Sequence, residues 1–197
     1  MTLYIDSHES LVLELLLSQV VSTERRRLND EGRPDIWFLG HGSREIGIEL
    51  KQAGELLGSL DSCEEQLGRE MAGVDYLALA VWGIITPDSQ GCQTWKQSEN
   101  NKSRIMFKNR LYHQSYKGYA AWKARLWEIG IPVIEVPTLE ALTTTIVAMY
   151  QNAQKAGGEH KTFSRLIPEK YWIKEEDQAK RDLALTLMGI KGAGIGE

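Results

Sequence analysis

Three charged side chains in a fixed order could carry hydrolytic chemistry: Asp35, Glu49 and Lys51. Asp35 opens a β-rich run, Asp35-Ile36-Trp37-Phe38-Leu39, and Glu49 and Lys51 close the next one, which starts at Glu45. Between them lies Gly40-His41-Gly42-Ser43, and a short glycine-containing loop joining two such runs predicts a β-hairpin, with His41 a turn residue. Alternate residues of a strand share a face, so Glu49 and Lys51 point one way and Leu50 the other. Closing the hairpin brings Asp35 across from Glu49, where two carboxylates would hold a hard divalent cation, Mg²⁺ or Mn²⁺. Lys51 then stands where an ammonium orients a water or offsets charge on a phosphate. A Glu-x-Lys alone is common in any sequence; the weight rests on its order after Asp35 and on the hairpin that joins them.

The elements that must position these side chains follow from periodicity. Leu3-Tyr4-Ile5-Asp6 reads as a strand, and Leu13, Leu16, Leu17, Val20 and Val21 recur at helical spacing up to Arg25-Arg26-Arg27. Three bases ending a helix complement its dipole, and they could also touch DNA. Residues 52–71 read as helix with breaks near Gly58 and Gly68, and Tyr76 to Gly83 as an apolar strand of a sheet covered on both faces. Residues 86–102, rich in Gly, Ser, Asn and Gln, read as a loop running into a basic segment, the whole forming an insertion at about 86–115. Tyr116 to Ile129 reads as helix, Pro132 to Val136 as strand, and Thr138 as the cap of a helix reaching about Lys155. A polar linker over 156–174 and a last helix near 175–188 complete the chain. Strand and helix alternating around one hairpin imply an α/β sandwich on a mixed sheet.

Composition narrows the function classes. With 197 residues, 42% hydrophobic and 25% charged, the chain is an ordinary globular one, neither disordered nor low in complexity. Its apolar runs are too short to cross a bilayer, and no basic, apolar and cleavable leader opens it, which predicts an intracellular protein, cytoplasmic or nuclear, with no membrane partner. Cys63 and Cys92 are far from the histidines and make neither a zinc knuckle nor a disulfide framework. The net charge of -4 conceals an asymmetry: residues 96–125 hold eight bases and one acid, Glu99, hence +7, leaving -11 elsewhere. Such a basic field on an acidic body suits one face that meets phosphate. Lys102, Arg104, Lys108, Arg110 and Lys117 are the candidate DNA contacts within it, and the interleaved Trp95, Phe107, Tyr112, Tyr116, Tyr119 and Trp122 can stack bases, while Tyr119 and Trp122, at helical spacing, are either that or core or dimer contacts.

Pro34-Asp35 followed by Glu49-Leu50-Lys51 resembles the PD-(D/E)XK nuclease signature, and more specifically that of the XPF-type structure-specific endonucleases. In that family Asp-x-Arg-Glu ends the first strand, Gly-Asp follows, and then come Glu-Arg-Lys, three intervening residues and an Asp. Here Asp6-Ser7-His8-Glu9, Pro34-Asp35, Glu49-Leu50-Lys51 and Glu55 take those places, with His8, Pro34, Leu50 and Glu55 departing from the family residue. The strand at Tyr76 to Gly83 and the run Ile131 to Pro137 extend the resemblance over about residues 3–155, the basic insertion apart. Gly192-Ala193-Gly194-Ile195-Gly196 after a helix resembles the first half of a helix-hairpin-helix, in which backbone N–H groups meet a DNA phosphate, so that Gly192 and Gly194 join the DNA contacts.

The resemblance implies a restriction-endonuclease-like mixed central sheet flanked by helices, spanning 1–155, with a small helical segment at 175–197. It implies a divalent-metal-dependent DNA endonuclease acting at or near a flap, fork or junction. Asp35 and Glu49 would bind the metal, Lys51 would position water, Asp6 and Glu55 would form the outer shell of the catalytic group, and His8 and Glu9 would support it. It also implies a homodimer or heterodimer through the helices near 116–129 and 139–153. The alternatives are a catalytically silent DNA-binding partner of an active nuclease, and a restriction-like or resolvase member of the wider superfamily.

Overall fold

The computed structural model describes residues 1–97, 106–156 and 159–160. Its main sheet has six strands: β1 (Leu3–Asp6), β2 (Thr23–Arg26), β3 (Ile36–Leu39), β4 (Glu45–Gln52), β5 (Tyr76–Trp82) and β9 (Val133–Val136), in the order β2-β1-β3-β4-β5-β9. The pairs β1–β3 and β3–β4 are antiparallel and the others parallel, so the sheet is mixed, as the alternation of elements implied. Helices α1 (Leu11–Ser18) and α5 (Leu139–Ala153) cover one face through Leu13, Leu17, Leu142 and Ile146, packed on Ile5, Ile36, Phe38, Ile48 and Leu50. Helices α2 (Ala53–Gly58), α3 (Leu60–Glu70) and α4 (Tyr116–Glu128) cover the other through Leu56, Cys63, Leu67, Tyr119 and Trp122, packed on Leu77, Leu79 and Val81. A strand covered on both faces must be apolar throughout, which is why β5 is buried from Leu77 to Val81. Thr138 caps α5 as expected, its Oγ1 accepting from the Ala141 N–H at 3.2 Å.

Three expectations are corrected. The Arg25-Arg26-Arg27 run does not end a helix: α1 stops at Ser18 and Arg25 and Arg26 lie in β2, an outer strand parallel to β1. Arg25 is occupied there, donating to Glu14 and to the carbonyls of Ser7 and Glu9, so strand pairing and this clamp outweigh helical periodicity. Residues 86–97 are not a loop: β6 (Ile84–Asp88), β7 (Gly91–Gln97) and β8 (Met106–Tyr112) form a separate antiparallel sheet in the order β6-β7-β8. The helical stretch does break beside Gly58, at Ser59 between α2 and α3, but it runs on through Gly68, where a second break was expected. Of the two readings of Tyr119 and Trp122, the core one holds, since both are buried. Most of the linker and all of the helix-hairpin-helix segment fall outside the described residues, as do Lys102, Arg104, Gly192 and Gly194.

Candidate active site

The register sets three acids in a row. Ile5 pairs with Ile36 and Ile36 with Ile48, all three on the face under α1 and α5, so Asp6, Asp35 and Glu49, one residue on, share the opposite face. Hydrogen bonding carries the row past the last ladder pair, with the Asp6 N–H donating to the Asp35 carbonyl at 2.7 Å. Lys51 lies on the same face, and its Nζ donates to Glu49 Oε1 at 2.6 Å. Leu50 points the other way into the core, as the hairpin reading required, while its N–H donates to Asp35 Oδ2 at 2.9 Å. The hairpin therefore fixes Asp35 by backbone as well as by register.

The remaining predicted residues divide. Glu55, in the first turn of α2, stands 3.6 Å from Lys51 and is largely exposed, so it touches the lysine and not the acid pair. Asp6 is fully buried with both oxygens engaged: Oδ1 accepts from the His8 N–H and faces His8 Nδ1, and Oδ2 accepts from the Asn29 N–H. His8 itself is exposed and turned to Asp6. Glu9 is half-buried and close enough to Asp35 and Asp6 to feel both. Lys108 and Arg110 are exposed on β8 and Lys117 is exposed in the first turn of α4.

Two residues escape the sequence reading. Glu70 is buried against Glu49, with Oε2 lacking any hydrogen-bond partner. Its signal was present: Cys63, Leu67 and Glu70 occupy one helical stripe, and an acid among apolar positions of a stripe is out of place unless it has a local task. Asn29 is the other, its N–H holding Asp6 and its Nδ2 pointing at Asp35 Oδ1 at 3.4 Å.

Electrostatics follow from crowding. Burial, then the charges of Asp35 and Glu70, push the Glu49 pKa up to about 10 against the pull of Lys51. Burial also raises Asp35, opposed by the Leu50 N–H and by Lys51, and raises Glu70. Burial and Asp35 push Glu9 up to about 7. Asp6 goes the other way, because the N–H groups of Asn29 and His8 outweigh the burial that would raise it. Lys51 loses solvation, yet Glu49, Asp35 and Glu55 more than compensate and keep it an ammonium.

A cluster of buried carboxyls with one lysine between them is short of positive charge, which a divalent cation could supply. Asp35 and Glu49 offer hard oxygen donors side by side, and the N–H donors that reach Asp35 Oδ1 and Glu49 Oε2, from Asn29 and Asp35, do so at a long 3.4 Å. Among the described residues no three His, Cys, Asp or Glu side chains converge as a complete ligand set. A cation held by the pair alone would keep several waters, a habit of Mg²⁺.

No protein-family model matches the chain, and no curated protein does. Among solved structures, XPF from Aeropyrum pernix aligns with a TM-score of 0.51 and 18% identity over 77% of this chain and 64% of that one. The same protein in complex with DNA aligns equally well, at 0.51 and 18%. The alignment thus spans less than two thirds of the neighbour's length, and at this identity the likeness is one of fold.

Proposed function

On this XPF-type nuclease fold, we propose that the chain is a divalent-metal-dependent endonuclease that hydrolyses phosphodiester bonds of DNA at or near branches. The observation that carries the reading is the buried pair Asp35, immediately before β3, and Glu49, on the adjacent strand β4, with the Lys51 ammonium 2.6 Å from Glu49. Nucleic acid as the partner draws support from the structural neighbour in complex with DNA and from the exposed bases Lys108, Arg110 and Lys117, which no acid among the described residues takes up. The two cysteines, free and buried, accord with a reducing, intracellular setting.

Asp35 and Glu49 would hold the Mg²⁺ or Mn²⁺, which would supply Lewis-acid polarisation of the scissile phosphate. Lys51 keeps its proton, so its task is donation: it orients the attacking water or binds a non-bridging phosphate oxygen. Leu50 holds Asp35 through its N–H, and Glu55 steadies Lys51 from the solvent side. Asp6 keeps the turn carrying His8 and the Asn29 backbone in place behind Asp35.

Cleavage of linear, flap, fork and four-way DNA in Mg²⁺ and Mn²⁺ tests the reading. Asp35→Asn, Glu49→Gln and Lys51→Met should each lower the rate by about 10²–10³-fold while the fold is kept. Wild-type rates in Asp35→Asn and Glu49→Gln would overturn the assignment. Tight binding of branched DNA with no cleavage in any divalent cation would favour a silent partner subunit instead.

A further inference from the structure

The three-stranded sheet leaves and rejoins the molecule beside the candidate site. Gly83 follows β5, whose last residues pair with Lys51 and Gln52, and it packs on Ala53 so closely that an added Cβ would lie 2.9 Å from the alanine methyl. At the far end of β8, the Tyr112 hydroxyl sits against Gly54, where a Cβ would lie 2.7 Å from it. Both anchors are on α2, the helix that begins two residues after Lys51.

Within this sheet, the pairing of β7 with β8 slips between Gln93 and Trp95. Gln93 faces Leu111 and Trp95 faces Lys108, so Asn109 and Arg110 together oppose Thr94, which is a β-bulge on the outer strand. Two buried polar side chains are devoted to it. Gln93 Nε2 donates to the carbonyls of Thr94 and Arg110 at 2.7 and 2.9 Å, and Thr94 Oγ1 donates to the same Arg110 carbonyl at 3.1 Å. The Arg110 guanidinium lies 5.0 Å from the centre of the Tyr112 ring, and no acid among the described residues takes it up.

From this arrangement we propose that Arg110 grips a backbone phosphate of DNA entering the site, and that Gln93 and Thr94 are positioning residues that hold the bulge which aims it. The proposal rests on the nuclease reading above. A planar fork held over a ring and left without an acid suits a phosphate. A charge placed only to keep an outer strand from pairing with another chain would need no aim, and neither buried donor would be required.

Binding of a labelled duplex by the full chain, without divalent cation so that cleavage does not intervene, is followed by anisotropy across a range of salt. Arg110→Gln should weaken binding several-fold at low salt and make the salt slope shallower by about 0.9, the share of one phosphate contact on B-DNA. Arg44→Gln, at the exposed hairpin turn, should leave the slope as it is. Thr94→Val keeps every charge and should still weaken binding, with Thr94→Ser restoring it and thermal melting confirming that both variants fold. An unchanged slope in Arg110→Gln, with the wild type still binding in a salt-dependent way, overturns the inference and leaves the nuclease reading intact. A folded Thr94→Val that binds like the wild type overturns the aiming role. Self-association of Arg110→Gln, with DNA binding kept, would make the arginine an edge guard and overturn the phosphate contact. A wild type that neither binds nor cleaves DNA sinks the nuclease reading itself.

Discussion

Glu49 ties the proton balance of the site to the stability of the fold. Its carboxyl is fully buried beside Asp35 and Glu70, and burial and their charges push its pKa up to about 10. A carboxyl whose pKa is higher in the folded than in the unfolded chain binds more protons when folded. Its favourable contribution is therefore complete below the ordinary carboxylate range and is lost as pH climbs towards 10. Asp35 and Glu70 are shifted in the same direction and add to the fall. The metal-free protein should thus melt at lower temperature near pH 9 than near pH 6, by calorimetry. Glu49→Gln should flatten that decline and raise Tm near pH 8 by about 3–6 °C, the effect of about 1–2 kcal/mol in a chain of this size. A decline that Glu49→Gln leaves unchanged would place the titrating group elsewhere. Asp35, Glu49 and Lys51 were legible from spacing because a strand alternates with a period of two and a hairpin sets its partner. Glu70 was not, since it arrives from a helix more than twenty positions downstream, where only the packing of α3 on the sheet brings it to Glu49.

At the level of elements, the hairpin that carries the acids depends on a close approach. A Cβ on Gly47 would lie 2.3 Å from Pro34 Cγ and 3.3 Å from both Pro34 Cδ and Val74 Cγ1. Pro34 immediately precedes Asp35, so Gly47→Ala must shift the backbone that presents a proposed metal ligand. It should destabilise the protein by about 1–3 kcal/mol, seen as a lower urea midpoint at unchanged m-value, and lower cleavage beyond what the fraction unfolded explains. Gly42→Ala is the contrast: at φ 72° in the turn and with open space around it, it should cost about 1 kcal/mol of backbone strain and leave cleavage alone. Equal losses of activity in the two variants would mean that the approach of Pro34 to Gly47 does not position Asp35. The main sheet, β2 apart, could be read from the sequence because its other strands are apolar runs or clean alternations. The second sheet could not, because its interior holds Gln93 and Thr94 where alternation expects apolar residues, and its bulge shifts the pattern by one. β2 was misread for a related reason: an outer strand carries charge, so Thr23-Glu24-Arg25-Arg26 lacks the apolar signature of a buried one.

On the scale of the whole molecule, the distribution of exposed apolar surface bears on assembly. The resemblance to XPF-type nucleases implies a dimer through α4 and α5, and the end of α4 does leave Trp127 73% and Ile129 59% exposed, just before β9 at the outer side of the sheet. A second apolar group stands on α1, where Leu11 is 67% and Leu15 63% exposed, one helical turn apart. Large exposed apolar residues in a group mark an interaction surface more often than scattered ones do. The two groups belong to different elements, so substitution distinguishes them without touching Asp35, Glu49 or Lys51. If the dimer uses the α4 side, Trp127→Glu with Ile129→Ser should halve the mass measured by light scattering after size exclusion, while Leu11→Glu with Leu15→Glu leaves it unchanged. The reverse outcome would move the interface to α1, and a wild type that is already monomeric at micromolar concentration would overturn the dimer. Because each chain carries its own Asp35, Glu49 and Lys51, the monomeric variant should keep metal-dependent cleavage of simple duplex. Its selectivity for branched DNA should drop if two chains are needed to hold the arms of a junction, a change read from the ratio of four-way to linear cleavage rates.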